Sequence, residues 1–381
     1  MADIAIDPKN PSVWYVATAF GGLWKSVNRG ISFAPIFDDY TSFTLCCVVI
    51  DPKDSNVVWL GTGENASQRS AHFGDGVYKS IDAGKTWKRM GLAASKHIGK
   101  IVIDLRNTST VYVASQGPLW SAGGDRGLYK TTDGGATWAQ VLRISDDTGV
   151  SDVVMDPKNP LVLYASAYQR RRAVGQMIGG GPEGGIFKTT DGGKTWKKLA
   201  RGLPKGDMGR AGLAIDGRKT PATVLAIIDA KRDESGFYRS DDGGATWARI
   251  GKMAAASGLR GFGGAGAAGA QAAPSPQAQA GAPQAQAGGA QAGAPRVGAR
   301  GGATDDWYRG GGAAYYHEIF VDPNKPDTIW SMNTNVERST DGGKTWARVN
   351  WENTGVHVDH HAIVWDPTDK NHILLGNDGG L

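Results

Sequence analysis

Short apolar, β-branched runs alternate with turn residues along most of this chain. In one stretch IGKIVI and TVYVAS flank the turn DLRNTS, and GLYKT and TWAQVL flank TDGGA. Runs of this length, bounded by Gly, Asn, Asp and Pro, predict antiparallel strands joined by hairpins. No segment keeps a helical apolar period over a useful length. The pattern therefore predicts an all-β fold.

The hairpins repeat in two registers. One series reads SIDAGKTW, TTDGGATW, TTDGGKTW, SDDGGATW and STDGGKTW, with its aspartates at Asp82, Asp133, Asp191, Asp242 and Asp341. A worn copy, SVNRGISF, carries Asn28 at the same place. The steps are 51 to 58 residues, except for 99 between Asp242 and Asp341, which looks like one unit plus an insertion. The second series opens at Asp7, Asp51, Asp104, Asp156, Asp216, Asp322 and Asp366, mostly as Asp-Pro turns. Seven units begin and six reach their box. Four antiparallel strands in ~45 residues is the signature of a β-propeller blade. Named A to D from the axis outward, the strands place the Asp-Pro turn in the A–B hairpin and the box in the C–D hairpin.

This register predicts one propeller with blades at about 2–37, 44–92, 98–143, 151–199, 209–250, 315–349 and an incomplete 360–381. Residues 252–303 are Ala, Gly, Gln and Pro with almost no large apolar side chain, and are expected to be a disordered insertion. The chain stops at Leu381, where a seventh strand C should begin, so it reads as a piece of a longer protein.

Each box has a structural explanation. Gly supplies positive φ in the tight hairpin, and the Asp and Ser/Thr side chains accept turn amides that the ladder leaves unpaired. Its Trp should pack between adjacent blades. Asp82, Asp133, Asp191, Asp242 and Asp341 are thus expected to be structural. The boxes lack the distal Glu and alternating oxygens of a calcium loop.

The boxes resemble Asp-box or BNR repeats. The stretches GTGENASQRSAHFGDGVYKS, GPLWSAGGDRGLYKTTDGG, WYRGGGAAYYHEIFVDP and HVDHHAIVWDP resemble bacterial sortilin-like (VPS10-domain) and glycosyl-hydrolase-like, xyloglucanase-related proteins. The resemblance implies an exported propeller, extracellular or periplasmic in the full-length protein, although no signal peptide is visible here. It implies binding of a polymeric ligand, a glycan, at the funnel mouth, with glycoside hydrolase activity in the full-length protein. The alternative is a non-catalytic sortilin-like scaffold for a peptide or protein. Xyloglucan-cleaving relatives carry an acid in a T-D-I-G-G motif after an early strand B. This chain has TAFGG there, which lacks the acid.

Bulk properties add limits. With 381 residues, 56 Gly and 13 Trp, the chain suits many turns and repeated aromatic packing. A net charge of +5 without long basic runs points away from nucleic acid. No apolar run is long enough to span a membrane. Cys46 and Cys47 form neither a disulfide framework nor a zinc spacing, and strand alternation predicts opposite faces for them. No metal or cofactor is expected.

Function should sit on the irregular B–C and D–A loops, which share the face opposite the boxes. The candidate carboxylates are Asp378, Asp359 and Glu64. The candidate ligand contacts are Asn65, Arg69, His72, Trp120, Arg126, Tyr168, Arg170, Trp307, Tyr308, Arg309, His357 and His360. Aromatic rings with Arg, Asn and carboxylates suit a sugar or a peptide chain. Other readings stand beside these. Glu64 and Arg69 could pair as ions, Arg170–Arg172 could be a solvated loop, and Gly-flanked Asp378 could cap a turn. His357, Asp359 and His361 fall in phase on an extended segment, a spacing that also suits a metal.

Overall fold

The computed structural model describes residues 1–231, 233–253, 317–349 and 354–381. Among these residues seven sheets follow one another, and six contain four antiparallel strands A to D in meander order. The second sheet is representative: Leu45–Ile50, Val58–Thr62, Val77–Ser80 and Lys88–Gly91. The seventh has two strands, His360–Trp365 and Ile373–Asn377. The sheets form a β-propeller. Among the described residues the one helical element is a short 3-10 turn, Ala93–Ser95. No helix there is long and apolar enough to cross a membrane.

The A strands stand side by side around an axis, each packed on the next, and the seventh packs on the first, Asp3–Ile6. Ile4, Val16 and Ala362 bury together at that junction, with Trp24 and Leu374 against them. Arg29 of the first box reaches Asp366 of the seventh A–B turn at 3.7 Å. The two-stranded sheet thus sits between its neighbours and joins the ends of the inner ring.

Both repeated turns work as the sequence predicts. In all seven A–B turns the aspartate accepts the N–H two residues on, from Lys9 to Asp7 (2.8 Å) through Thr368 to Asp366 (2.8 Å). In the third box Thr131 Oγ1 donates to Asp133 Oδ1 (2.7 Å) and accepts Gly135 N–H (2.9 Å). Thr137 donates its N–H to Asp133 Oδ1 (2.9 Å) and its hydroxyl to Oδ2 (2.6 Å). These donors hold the box carboxylates low; Asp82 and Asp242 fall to about 2. Asn28 replays the pattern in the worn box, bonded by Ser26 and Ser32.

The boxes also join sheets. Tyr112 of strand B and Lys130 of strand C both donate to the Gly192 carbonyl in the next sheet's box, at 2.9 and 2.8 Å. Tyr15 and Lys25 do the same to Ala83 O (2.9 and 2.7 Å), and Tyr164 and Lys188 to Gly243 O (2.7 and 2.6 Å). Lys79 reaches Gly134 O at 3.0 Å while lying over the Trp59 ring, and Arg239 reaches Gly342 O at 2.7 Å. In two boxes this closeness requires the second glycine. A Cβ at Gly135 would lie 2.7 Å from Trp59, and one at Gly343 would lie 2.2 Å from Phe237. The box Trp also crosses the junction: Trp138 Nε1 donates to Met90 O at 2.7 Å.

Three expectations change. The B strand of the fourth sheet runs on as Leu163–Ala173 and folds back with Gln176–Gly179, so Arg170–Arg172 lie in a strand rather than a loop. The insertion expected at 252–303 lies outside the described residues except for Lys252–Met253. Those two pair in parallel with Thr345 and Trp346. The cysteines do not split across the sheet: Cys46 Sγ and Cys47 Sγ are 2.8 Å apart.

Because Gly192 O has two donors, Tyr112→Phe or Lys130→Met alone leaves it satisfied and should cost about 1 kcal/mol or less. The double variant should cost about 1 kcal/mol more than the sum, because it orphans the carbonyl. Urea unfolding of the four proteins checks this; strict additivity would exclude a shared acceptor.

Candidate functional site

The inner faces of the A strands carry charge. Lys100 Nζ lies 3.2 Å from Asp152 Oδ1, and Arg210 lies 3.8 Å from Glu318 Oε1. Asp3 and Asp152 each also accept an N–H from the following A strand, Val48 at 3.0 Å and Leu213 at 2.8 Å. These groups line a channel cavity of about 110 Å³ with Cys46 and Cys47. Burial raises Asp3 to about 6 and Glu318 to about 7. Burial opposes the charge on Lys100, yet Asp152 and Glu318 hold its pKa above the usual value.

A second recess of about 210 Å³ opens at the mouth. Glu64, Asn65, Gln68, Glu318, His361 and Asp378 line it, so two of the three candidate carboxylates meet here. Glu64 accepts Gln68 Nε2 at 2.6 Å and His72 N–H at 3.3 Å; these, rather than Arg69, are its partners. Burial raises the Glu64 pKa. Asp378 is half exposed and bonds His361 Nε2 at 3.0 Å. Burial lowers the His361 pKa despite that carboxylate. Asp359 stands apart from this recess, although its carbonyl accepts Asp378 N–H at 3.2 Å.

The far side of the same second-sheet loop walls a third recess, an open groove of about 430 Å³. Arg69, His72, Phe73, Lys96, Leu119 and Trp120 line it. Phe73 is 69% exposed and Trp120 48%, and Lys96 lies over the Phe73 ring at 5.2 Å. Phe20 and Phe43, also exposed, bracket the His72 ring, with centroids 4.4 and 6.1 Å away. Sequence reasoning named Trp120 and His72 but missed Phe43, Phe73 and Glu318. Their signal was position alone, each falling in or beside a mouth-facing loop.

Other candidates are internal. Arg170 is wholly buried; Nη1 donates to Ala66 O (2.9 Å) and Ser67 Oγ (3.1 Å), and Nη2 to Gly117 O (3.3 Å). Arg126, also buried, donates to Gln116 O and Ser121 O (2.6 and 2.8 Å). Both guanidinium groups tie loops down instead of facing a ligand, and Tyr168 and His360 are buried as well. Asn65 Oδ1 accepts Gln116 Nε2, and Arg210 reaches Asn65 O at 3.1 Å. His97 Nδ1 meets Glu64 O at 2.9 Å, and burial with nearby Arg170 lowers that ring to about 3. His357 is exposed, its Nδ1 2.7 Å from Val358 O. Among the described residues, no three His, Cys, Asp or Glu side chains gather as a metal set, so His357, Asp359 and His361 do not converge. Trp307, Tyr308 and Arg309 lie outside the described residues.

Residues 75–212 match the family model for sortilin, neurotensin receptor 3, and residues 337–348 match the BNR/Asp-box repeat. A xyloglucanase of Hypocrea jecorina is 27% identical over 256 residues, 65% of this chain and 25% of that protein. The chain spans between 20% and 38% of the curated xyloglucanases it matches. Among solved structures, the GH74 xyloglucanase from Xanthomonas campestris superposes with TM-score 0.59 at 16% identity, over 98% of this chain and 50% of that one. YCF48 bound to D1 peptide superposes with TM-score 0.53 at 12% identity, over 99% and 90%. Together these matches show a BNR-repeat, sortilin-like and glycosyl-hydrolase-like propeller.

The Glu318 side chain keeps about a third of its surface open (33%), inside the channel beside Arg210, Lys100 and Asp152. Its pKa of about 7, against 4.5 when unperturbed, means that the native state holds a proton the unfolded chain releases. This group's contribution to stability is therefore fully present below pH 4.5 and is lost as pH rises through about 7. Stability measured across that window should fall less steeply in Glu318→Gln than in the parent protein. Parallel slopes would show that Glu318 ionises freely.

Proposed function

We propose that this propeller binds a polysaccharide chain at its funnel mouth. One observation carries the reading: the loop 63–76 separates a carboxylate-lined recess from an aromatic groove. Glu64, Asn65 and Asp378 offer hydrogen-bond partners to sugar hydroxyls on one side. Phe73 and Trp120 offer flat apolar faces to sugar rings on the other, with Arg69 and His72 beside them. His357 belongs to the same proposed surface. The xyloglucanases it resembles favour a glycan over a peptide. The reading places the full-length protein outside the cell or in the periplasm.

Glycoside hydrolysis in the full-length protein is the finer form of this proposal. It needs two carboxylates flanking the bond, about 5–9 Å apart. Glu64, with its raised pKa, suits the acid that protonates the leaving oxygen. Asp378, more exposed in the same recess, suits the nucleophile or base. TAFGG sets Ala19 opposite the acid of T-D-I-G-G and Phe20 opposite its Ile, so this pair would replace the relatives' arrangement.

A panel of plant and bacterial polysaccharides, tested on the full-length protein, separates the outcomes. Affinity electrophoresis should show binding that weakens at least about tenfold in Trp120→Ala and Phe73→Ala, the loss of 1.4 kcal/mol or more expected for removing a central aromatic contact. Reducing-end release should vanish in Glu64→Gln and Asp378→Asn while binding persists. Binding without release leaves a lectin-like module. Capture of peptides with no glycan bound would replace the reading by the scaffold alternative.

A further inference from the structure

The two cysteines meet because of a fault in the ladder. Strand A of the second sheet pairs Leu45 with Thr62 and then Cys47 with Gly61, skipping Cys46. An extra residue of this kind bends the strand and breaks the side-chain alternation. Both residues line the channel cavity while staying buried, packed with Trp59, Val77 and Ile98, and their sulfurs lie 2.8 Å apart. The partner position must be glycine. A Cβ at Gly61 would fall 2.6 Å from Cys47 Sγ and 2.8 Å from Cys46 Sγ. Cys46 also lines the mouth recess, beside Glu64 and Asp378. Bulge, facing glycine and paired access together make a place built around two sulfurs.

We propose that Cys46 and Cys47 are a redox-modification site that closes to a vicinal disulfide. An S–S bond of about 2.04 Å needs the sulfurs to approach by roughly 0.8 Å; adjacent Cα atoms about 3.8 Å apart fall below the usual disulfide range, so the bulged backbone must adjust along with the χ angles. The oxidant class follows from access. A recess of about 210 Å³ admits a small hydroperoxide but no protein oxidase. One thiol, as its thiolate, attacks the peroxide O–O bond. It becomes a sulfenic acid, and the peroxide's other oxygen leaves as water after taking the thiol proton. The second thiol then attacks the sulfenic sulfur, the S–S bond forms, and the sulfenic oxygen leaves with the second proton as water. Two thiols and one hydrogen peroxide thus yield one disulfide and two waters. Burial and the Cys47 neighbour push the Cys46 thiol well above its usual pKa, so the first step should run slower than with a free thiol.

The full chain treated with stoichiometric hydrogen peroxide, then alkylated with iodoacetamide after denaturation, tests this by mass spectrometry. The peptide holding both cysteines should lose two hydrogens, take up no alkyl group, and recover both thiols after dithiothreitol, with no cross-link between chains. In Cys46→Ser, Cys47 should instead trap dimedone as a sulfenic acid. Two alkylated cysteines after peroxide, sulfinic or sulfonic acid on either sulfur, or a disulfide between chains would each overturn the proposal. Unchanged near-ultraviolet circular dichroism of Cys46→Ser confirms that the variant folds, so absent dimedone labelling in it would also count against the site.

Discussion

One backbone carbonyl in each box carries much of the architecture. The Asp and Thr side chains close the hairpin from within, and that closure turns the carbonyl of Ala83, Gly134, Gly192, Gly243 or Gly342 toward the preceding sheet. There a Lys or Arg, and in three sheets a Tyr hydroxyl, donate to it. At Gly135 and Gly244 the aromatic ring beside the donor, Trp59 or Tyr164, also fills the space a side chain on the second glycine would need. Hairpin chemistry and sheet-to-sheet docking are therefore one constraint. This is why aspartate, glycine and tryptophan recur together while the positions between them drift.

The inner ring meets a different problem. Seven A strands around an axis leave a narrow space lined by charged groups. The chain fills it with alternating signs: Asp3, Lys100, Asp152, Arg210 and Glu318. Carboxylates that also accept an N–H from the next A strand, as Asp3 and Asp152 do, convert this charge into strand registration. Toward the mouth, buried arginines take over. Arg126 and Arg170 satisfy loop carbonyls that no ladder reaches, so long loops present fixed surfaces. The mouth loops are thus tied down by groups whose charge stays buried.

The candidate site was only partly legible in the chain. Glu64 and Asp378 read as mouth residues because they follow strand B in two different units, and the recess holds both. Arg126 and Arg170 read the same way and are buried instead. Loop position says where a backbone passes, while the direction of a long side chain depends on which carbonyls lie unpaired nearby. Phe20, Phe43 and Phe73 carried no periodic signal, because each belongs to a loop without repeats.

Local spacing was enough for the blade unit, both turn chemistries and the face on which the irregular loops gather. These depend on bonds between residues a few positions apart, which the repeat displays directly. Tertiary structure alone decided what crosses between units. The two-stranded seventh sheet seats against the first, the arginines turn inward, and the carboxylates of distant loops share one recess. The cysteine pair shows the limit most sharply. Adjacent residues on a regular strand point apart, and only a skipped pairing against Gly61, one strand away, brings their sulfurs together.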